Sequence, residues 1–377
     1  MNFIKNVLKN LLAFCVSMSV GLLIGEFVVR VFFPQVTSPV QFFYDAKLGG
    51  MIPVPNQKGF KNHPNVYHYD YQNNEVGMRD TRQLLDYQAI PFKILSIGDS
   101  FTYGWGVNDE ESFCKILEKN IHQDSVAVLN AGASGAGTDY ALKFFRVRGK
   151  DFSPKVVIYY YYENDQFDNQ DNRYFTVKND SIITNNSNEF ASINAIQKNK
   201  LANSLIYNWF SAHSHLFGMI RTQVGVFWNN KIKKENEAKV IAENRKQATN
   251  QPVETQPKKV VEAKKTYQSP YYLTYKYIKA LSDEVKSSGA KFYIFHIPSH
   301  HSIGDYQKFK RMDQNDSLSI FCLKNQINYH SFTQTLFKNK DPLKSYYFPV
   351  DFHWNKAGHQ VAGEYVYEVL KKDKIVK

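Results

Sequence analysis

From Phe92 onward the chain alternates between two hydrophobic patterns. Continuous apolar runs such as FKILSIGDS and KVVIYYYYEND suit strands buried on both faces. Between them apolar residues recur at helical spacing, as at Phe113, Ile116, Leu117 and Ile121, and again in TDYALKFFRVRG. SVAVLNAGASG reads as a second strand and KVVIYYYYEND as a third. A helix over SPYYLTYKYIKALSDEVKSS, stopped by Gly289, leads into a fourth strand at KFYIFHI. QINYHSFTQTL gives a short fifth. The last segment, NKAGHQVAGEYVYEVLKKDK, is a helix with Val361, Tyr365, Val366 and Val369 on one face and lysines at its end. Strands alternating with helices predict an α/β domain with a parallel sheet covered on both sides.

The pattern is interrupted twice. Residues 35–90 carry Pro53, Pro55 and Pro64, many Asn and Tyr, and no long periodicity; they read as an extended lead-in with short strands, ending in a turn at Gly77 of NEVGMRD. YFTVKNDSIITN alternates as a hairpin over Asn179-Asp180 does, and a helical stretch is expected from Ile193 to Trp228. Residues 229–267, rich in charge, Gln and Asn, read as a solvated helix extension and a flexible loop. The expected organisation is thus an anchor over 1–34, the lead-in over 35–90, a catalytic domain in two parts (91–170 and 268–377) and an insertion over 171–267. No internal repeat is visible.

The N-terminus has its own pattern. Lys5 and Lys9 precede an apolar run from Leu11 to Phe33, and Pro34 ends it. At about 1.5 Å per residue this run reaches roughly 35 Å, enough for a hydrocarbon core of about 30 Å. Glu26 and Arg30, four apart, share a face near one end, where they partly neutralise each other and reach the headgroups. No clear small-x-small site follows the apolar core, and Phe14 before Cys15 is too large for a lipoprotein cleavage site. The reading is an uncleaved single-pass anchor with a cytoplasmic N-terminus and the remaining chain outside the cytoplasm, periplasmic or at the cell surface.

Charge and cysteines change little. The formal net charge is +12, and residues 231–265 alone hold ten Lys/Arg against five Asp/Glu. No zinc pattern or recognition helix accompanies this excess, so nucleic acid is not an expected partner. Cys15, Cys114 and Cys322 form no disulfide framework. His296, His300 and His301 in HIPSHH have no carboxylate spaced to complete a metal site; they read as solvated loop histidines, and neither metal nor cofactor is expected.

Ligands of open α/β sheets bind beyond the C-terminal strand ends. There the sequence places Asp99-Ser100, Asn130 to Gly135, Glu163-Asn164-Asp165, and Asp351 with His353. A serine hydroxyl becomes nucleophilic when a base takes its proton and an acid orients that base. Ser100, His353 and Asp351 supply these roles. The N–H groups of Ser100 and Gly135 and the side-chain amide of Asn164 suit an oxyanion hole, where losing one donor typically costs about 3 kcal/mol of barrier. Asp99, Asp165, Tyr103 and Trp105 are placed to line an acyl or sugar site, although the two aromatics suit packing equally. Gly-x-Ser-x-Gly is absent.

These blocks resemble the SGNH subgroup of the GDSL esterases and lipases. Gly98-Asp99-Ser100 matches the first block and Gly135 of NAGASG the second. Asn164-Asp165 matches the third with Tyr162 where glycine is usual, and Asp351-Phe352-His353 is a shortened form of the last. The likeness spans about residues 74–370 outside the insertion. NEVGMRD together with the apolar N-terminus looks like membrane-tethered bacterial members. The resemblance implies a flavodoxin-like three-layer α/β/α fold and a serine esterase acting on an ester or acylated carbohydrate. DFHWN is similar to the Asp-x-His-Trp element of bacterial polysaccharide O-acetyltransferases, so transfer to a cell-envelope polysaccharide is the alternative. A reading of another class is a non-catalytic anchored scaffold, recruiting cell-envelope partners through 229–267.

Overall fold

The computed structural model describes residues 2–169, 174–185, 199–231, 270–309 and 316–377. They fall into two compact units, one joining Met1–Thr37 to Trp209–Tyr267 and the other joining Ser38–Asn208 to Gln268–Lys377.

In the first unit, α1 (Asn2–Phe32) leaves its apolar side chains exposed along nearly its whole length. It is long and apolar enough to cross a membrane, a test that a signal sequence also passes.

The second unit opens with two antiparallel hairpins. β1 (Phe42–Asp45) pairs with β2 (Gly50–Pro53), and β3 (Lys58–His63) with β4 (Tyr67–Gln72). The short helix α2 (Leu84–Gln88) follows. The parallel sheet then begins with β5 (Phe92–Gly98), the four-residue helix α3 (Ser100–Tyr103), α4 (Phe113–Ile121), β6 (Val126–Gly132), α5 (Thr138–Val147), β7 (Val156–Tyr162) and α6 (Asp165–Asp168). The hairpin β8 (Phe175–Lys178) and β9 (Ser181–Thr184) turns over Asn179 and Asp180. Both turn residues have positive φ, as a two-residue turn that follows the strand twist requires. The helix Pro270–Ser287, β10 (Lys291–Ile297), β11 (Asn328–Ser331) and the helix Lys356–Lys372 complete the layers.

Strand order is β11-β10-β7-β5-β6, all pairs parallel. This is the flavodoxin-like α/β/α arrangement, whose strand order reverses beside the first strand, here β5. Alternate residues feed two cores. Leu95, Leu129, Val157, Tyr159 and Ile294 face α5 and the helix 270–287. Ile94, Val128, Ile158, Tyr160 and Phe295 face α4 and the C-terminal helix. Burial on both faces explains the unbroken apolar runs in the sequence.

Two local expectations differ from the structure, and the short strands expected in the lead-in pair as hairpins. The helical stretch foreseen from Ile193 to Trp228 is interrupted, as far as it is described, at Asn203-Ser204 and again at Ser214. At both breaks a serine hydroxyl accepts an N–H of the next helix, Tyr207 at 3.3 Å and Phe217 at 3.0 Å. Helix 300–309 begins where a loop was expected after HIPS, with the Ser299 hydroxyl accepting the Ser302 N–H. Most of the charged stretch foreseen over 229–267 lies outside the described residues.

Candidate active site

β5 delivers the site. Its chain turns directly into α3, whose N-cap is Asp99; the Asp99 carboxylate accepts the Phe101 N–H at 2.9 Å. Ser100 is therefore the first helical residue, at the edge of the sheet and 9% exposed. Gly132 at the end of β6 makes this possible, because a Cβ there would overlap the backbone at Thr102 and Tyr103. Arg79 holds the chain after α3. Its buried guanidinium donates to the carbonyls of Tyr103, Gly104 and Val107, and to Asp109 at 2.5 Å.

His353 comes from the loop before the C-terminal helix. Its Nε2 lies 2.8 Å from Ser100 Oγ, and its Nδ1 is hydrogen-bonded to Asp351 Oδ1. With the Nδ1 proton directed at Asp351, Nε2 accepts from the serine hydroxyl. The two-residue spacing closes because Phe352 takes a left-handed backbone, φ 65°, uncommon for a large side chain. The Phe352 N–H bonds the Phe348 carbonyl and the Phe348 N–H bonds that of His353, fixing the turn.

The second Asp351 oxygen is also occupied. Tyr67 of β4 donates its hydroxyl to Oδ2 at 2.9 Å, and Trp105 Nε1 donates to that hydroxyl at 2.9 Å. Burial pushes the Asp351 carboxyl up, but His353, Tyr67 and the charge of Lys61 outweigh it and hold the group below the ordinary carboxylate value. Burial, reinforced by Asp351, raises the Tyr67 phenol, so it remains a donor.

The other strand ends present further polar groups. Gly135 follows β6 with φ 71°, exposed, with open space where a Cβ would sit. Asn164 follows β7 and caps α6; its side chain is exposed and its amide has no hydrogen-bond partner among the described residues. Tyr162, where the related pattern has glycine, packs on Phe101 at 4.7 Å between ring centroids, and Phe101 lies 4.9 Å from the His353 ring. The substitution thus extends an aromatic wall behind the imidazole.

Several residues expected to line the site face inward instead. Tyr103 is fully buried, donates to Asn73 at 3.2 Å and packs on Tyr71. Asp99 is buried beneath the turn it caps. Asp165 is buried with Oδ2 accepting from the Tyr159 hydroxyl at 2.5 Å. Burial pushes Asp99 up to about 6, against the pull of His353, and burial together with the charge of Asp99 pushes Asp165 well above the ordinary carboxylate value. Trp105 is half-buried, 6.0 Å from the His353 ring and stacked on Phe42, with the Lys61 ammonium over it at 3.5 Å. That covers the ring and makes it part of the support. His296 also departs from its expectation. It is fully buried, with Nε2 3.5 Å from Glu163, whose other oxygen accepts from Ser302 at 2.6 Å. No group of three or more metal-ligating side chains occurs among the described residues.

Sequence reading missed Tyr67 and the anchoring role of Arg79. The alternation in YHYDYQ puts Tyr67, Tyr69 and Tyr71 on one buried face, which marks Tyr67 as buried but not as a partner of Asp351.

A family model of GDSL-like lipase/acylhydrolases matches residues 96–361. The chain belongs to this family. The family's name describes lipases and acylhydrolases, and the five-stranded parallel sheet with flanking helices fits an α/β fold of the SGNH type. Similar solved structures include the lipase/acylhydrolase from Enterococcus faecalis, 11% identical, covering 76% of this chain and 97% of that one, TM-score 0.38. A psychrotrophic esterase from Pseudoalteromonas sp. is 12% identical over 74% of this chain and 97% of its own, TM-score 0.36. A two-domain esterase active on acetylated mannans is 10% identical over 77% of this chain and 52% of its own, TM-score 0.40. No curated protein sequence matches the chain.

Proposed function

We propose that the chain is a serine esterase that cleaves O-acyl esters, tethered by α1 with its catalytic unit outside the cytoplasm. The observation that carries the reading is the unbroken hydrogen-bond series from Ser100 Oγ through His353 to Asp351. His353 Nε2 takes the hydroxyl proton as Oγ attacks the ester carbonyl. Asp351 keeps the imidazole in the reactive tautomer and balances its charge. The Ser100 and Gly135 N–H groups and the Asn164 amide receive the developing oxyanion. As the tetrahedral intermediate collapses, His353 returns the proton to the departing alkoxide and leaves an acyl-Ser100 ester. Water, deprotonated by the same imidazole, then releases the acid and restores the serine. Lys5 and Lys9 before the span support a cytoplasmic N-terminus.

The test is turnover of a chromogenic acetyl ester by the full chain, with and without an acetylatable polysaccharide. Hydrolysis lost in Ser100→Ala, with all acyl groups recovered as free acid, is the expected result. Acyl groups recovered on the sugar would replace hydrolysis by transfer to a polysaccharide hydroxyl. A folded wild type inert in both assays would favour the scaffold.

A further inference from the structure

Glu26 does more in its own unit than pair with Arg30. Its carboxylate accepts the Ser214 hydroxyl at 2.7 Å and the backbone N–H groups of His215 and Leu216 at 3.0 and 2.8 Å. The Arg30 guanidinium donates to Glu26 at 2.7 Å and to the His213 carbonyl at 2.6 Å. The Gln35 N–H donates to His215 Nδ1 at 2.8 Å, and Leu216 lies against Gly25. The first N–H groups of a helix have no partner within it, and an anion there is favourable. Glu26 of α1 thus caps the helix over residues 215–231 together with Ser214, whose hydroxyl accepts the Phe217 N–H.

That helix is not covered where it is described. Ile220, Val224, Val226, Phe227 and Trp228 are exposed, as are Trp209 and Phe210 just before it. The Lys231 ammonium lies over the Trp228 ring at 5.1 Å. Apolar groups that continue from the exposed surface of α1 onto a second helix form a larger patch than scattered surface residues do. Glu26 sits about 9 Å before the end of α1 at Phe32, at ~1.5 Å per residue. In a spanning α1 this is where hydrocarbon gives way to headgroups, the level that tryptophans and lysines favour.

We propose that residues 209–231 lie on the bilayer that α1 crosses, making a two-helix anchor from which α1 is not removed. This rests on the anchored reading above and supplies a reason for it. Cleavage behind Glu26 would strip the 215–231 helix of its carboxylate cap. The occupant of the exposed face is the lipid surface, because the face is pinned beside the span and ends in an aromatic-cation pair; Arg221 and Lys231 favour anionic headgroups.

The experiment uses the full chain in vesicles of phosphatidylethanolamine and phosphatidylglycerol carrying brominated acyl chains. Bromine should quench tryptophan emission at least twofold more in the wild type than in Trp209→Phe/Trp228→Phe, which retains Trp105 and Trp354. Phe227→Ser, which removes no tryptophan, should reduce the wild-type quenching. Equal quenching in all three proteins would overturn the proposal. So would a dimer dissolved by the same substitutions without quenching, which would assign the face to a second copy. Intact mass separates the premises: loss of α1 overturns the anchor itself, whereas a retained α1 with no quenching overturns only the surface contact. Esterase activity bears on neither.

Discussion

The two ends of the hydrogen-bond series are built differently. Ser100 is placed by local structure: a buried strand, a capped turn and a glycine that lets the turn sit against β6. Asp351 and His353 lie in an irregular loop that closes through a left-handed phenylalanine. Their second support, Tyr67, comes from a hairpin that precedes the family-matched region. Ser100 is held by the sheet itself, whereas Asp351 also leans on a hairpin outside the family-matched residues.

Substitutions sharpen this contrast in a definite order. Asp351→Asn should lower kcat by about 10³–10⁴, because an amide can hold the imidazole in the wrong tautomer. A loss below tenfold in steady-state assays would mean that Tyr67 and the loop orient His353 without the acid. Asn164→Ala should lower kcat by about 10²–10³ and leave KM nearly unchanged, since the amide is needed only when the oxyanion forms. An unchanged kcat would remove Asn164 from that role.

Tyr67→Phe tests the braced end alone. One lost hydrogen bond is worth about 0.5–1.5 kcal/mol, so kcat/KM should fall about 2- to 10-fold. The carboxylate, with one donor fewer, holds the imidazolium more tightly, so the acid limb of the kcat/KM profile should move to higher pH. A fall in activity with an unmoved pH profile would make Tyr67 a packing residue only.

Asp99→Asn gives the smallest change in chemistry and tests the serine end. Asp99 titrates higher in the fold than in the unfolded chain, near 6 against an ordinary 3.8. Between those values the folded state binds more protons, so this group's contribution to stability falls as pH rises and is fully lost above about 6. His359, held neutral by burial down to about 3, acts in the opposite sense below its ordinary 6.5. The useful quantity is therefore the difference between proteins. Asp99→Asn should melt above the wild type at pH 7.5, with the gap shrinking by pH 5 in calorimetry. A constant gap would mean that this carboxyl is ionised alike in the folded and the unfolded chain over that range, so that burial does not raise it.

The sheet was legible in the sequence because strands buried on both faces leave unbroken apolar runs, as in KVVIYYYYEND. Ser100, Gly135 and Asn164 are legible for a related reason: residues closing such runs fall on one edge. Asp351 and His353 are legible only as an Asp-x-His pair beyond the last strand. The inward turn of Asp99, Asp165 and Tyr103 was hidden, because a motif records neighbours along the chain and not the side on which a tight turn buries them. Tyr67 was harder still, since nothing in YHYDYQ points to a partner some 280 residues away. The serine caps at Ser204 and Ser214 were overlooked because apolar periodicity continues through both breaks.

The most direct test is mass-spectrometric mapping of a fluorophosphonate adduct on the full chain. One phosphonyl group on the peptide containing Ser100, absent in Ser100→Ala and formed at least 10³-fold more slowly in His353→Ala, is the predicted result. No adduct on the folded wild type, or an adduct at another residue that survives Ser100→Ala, would contradict the account.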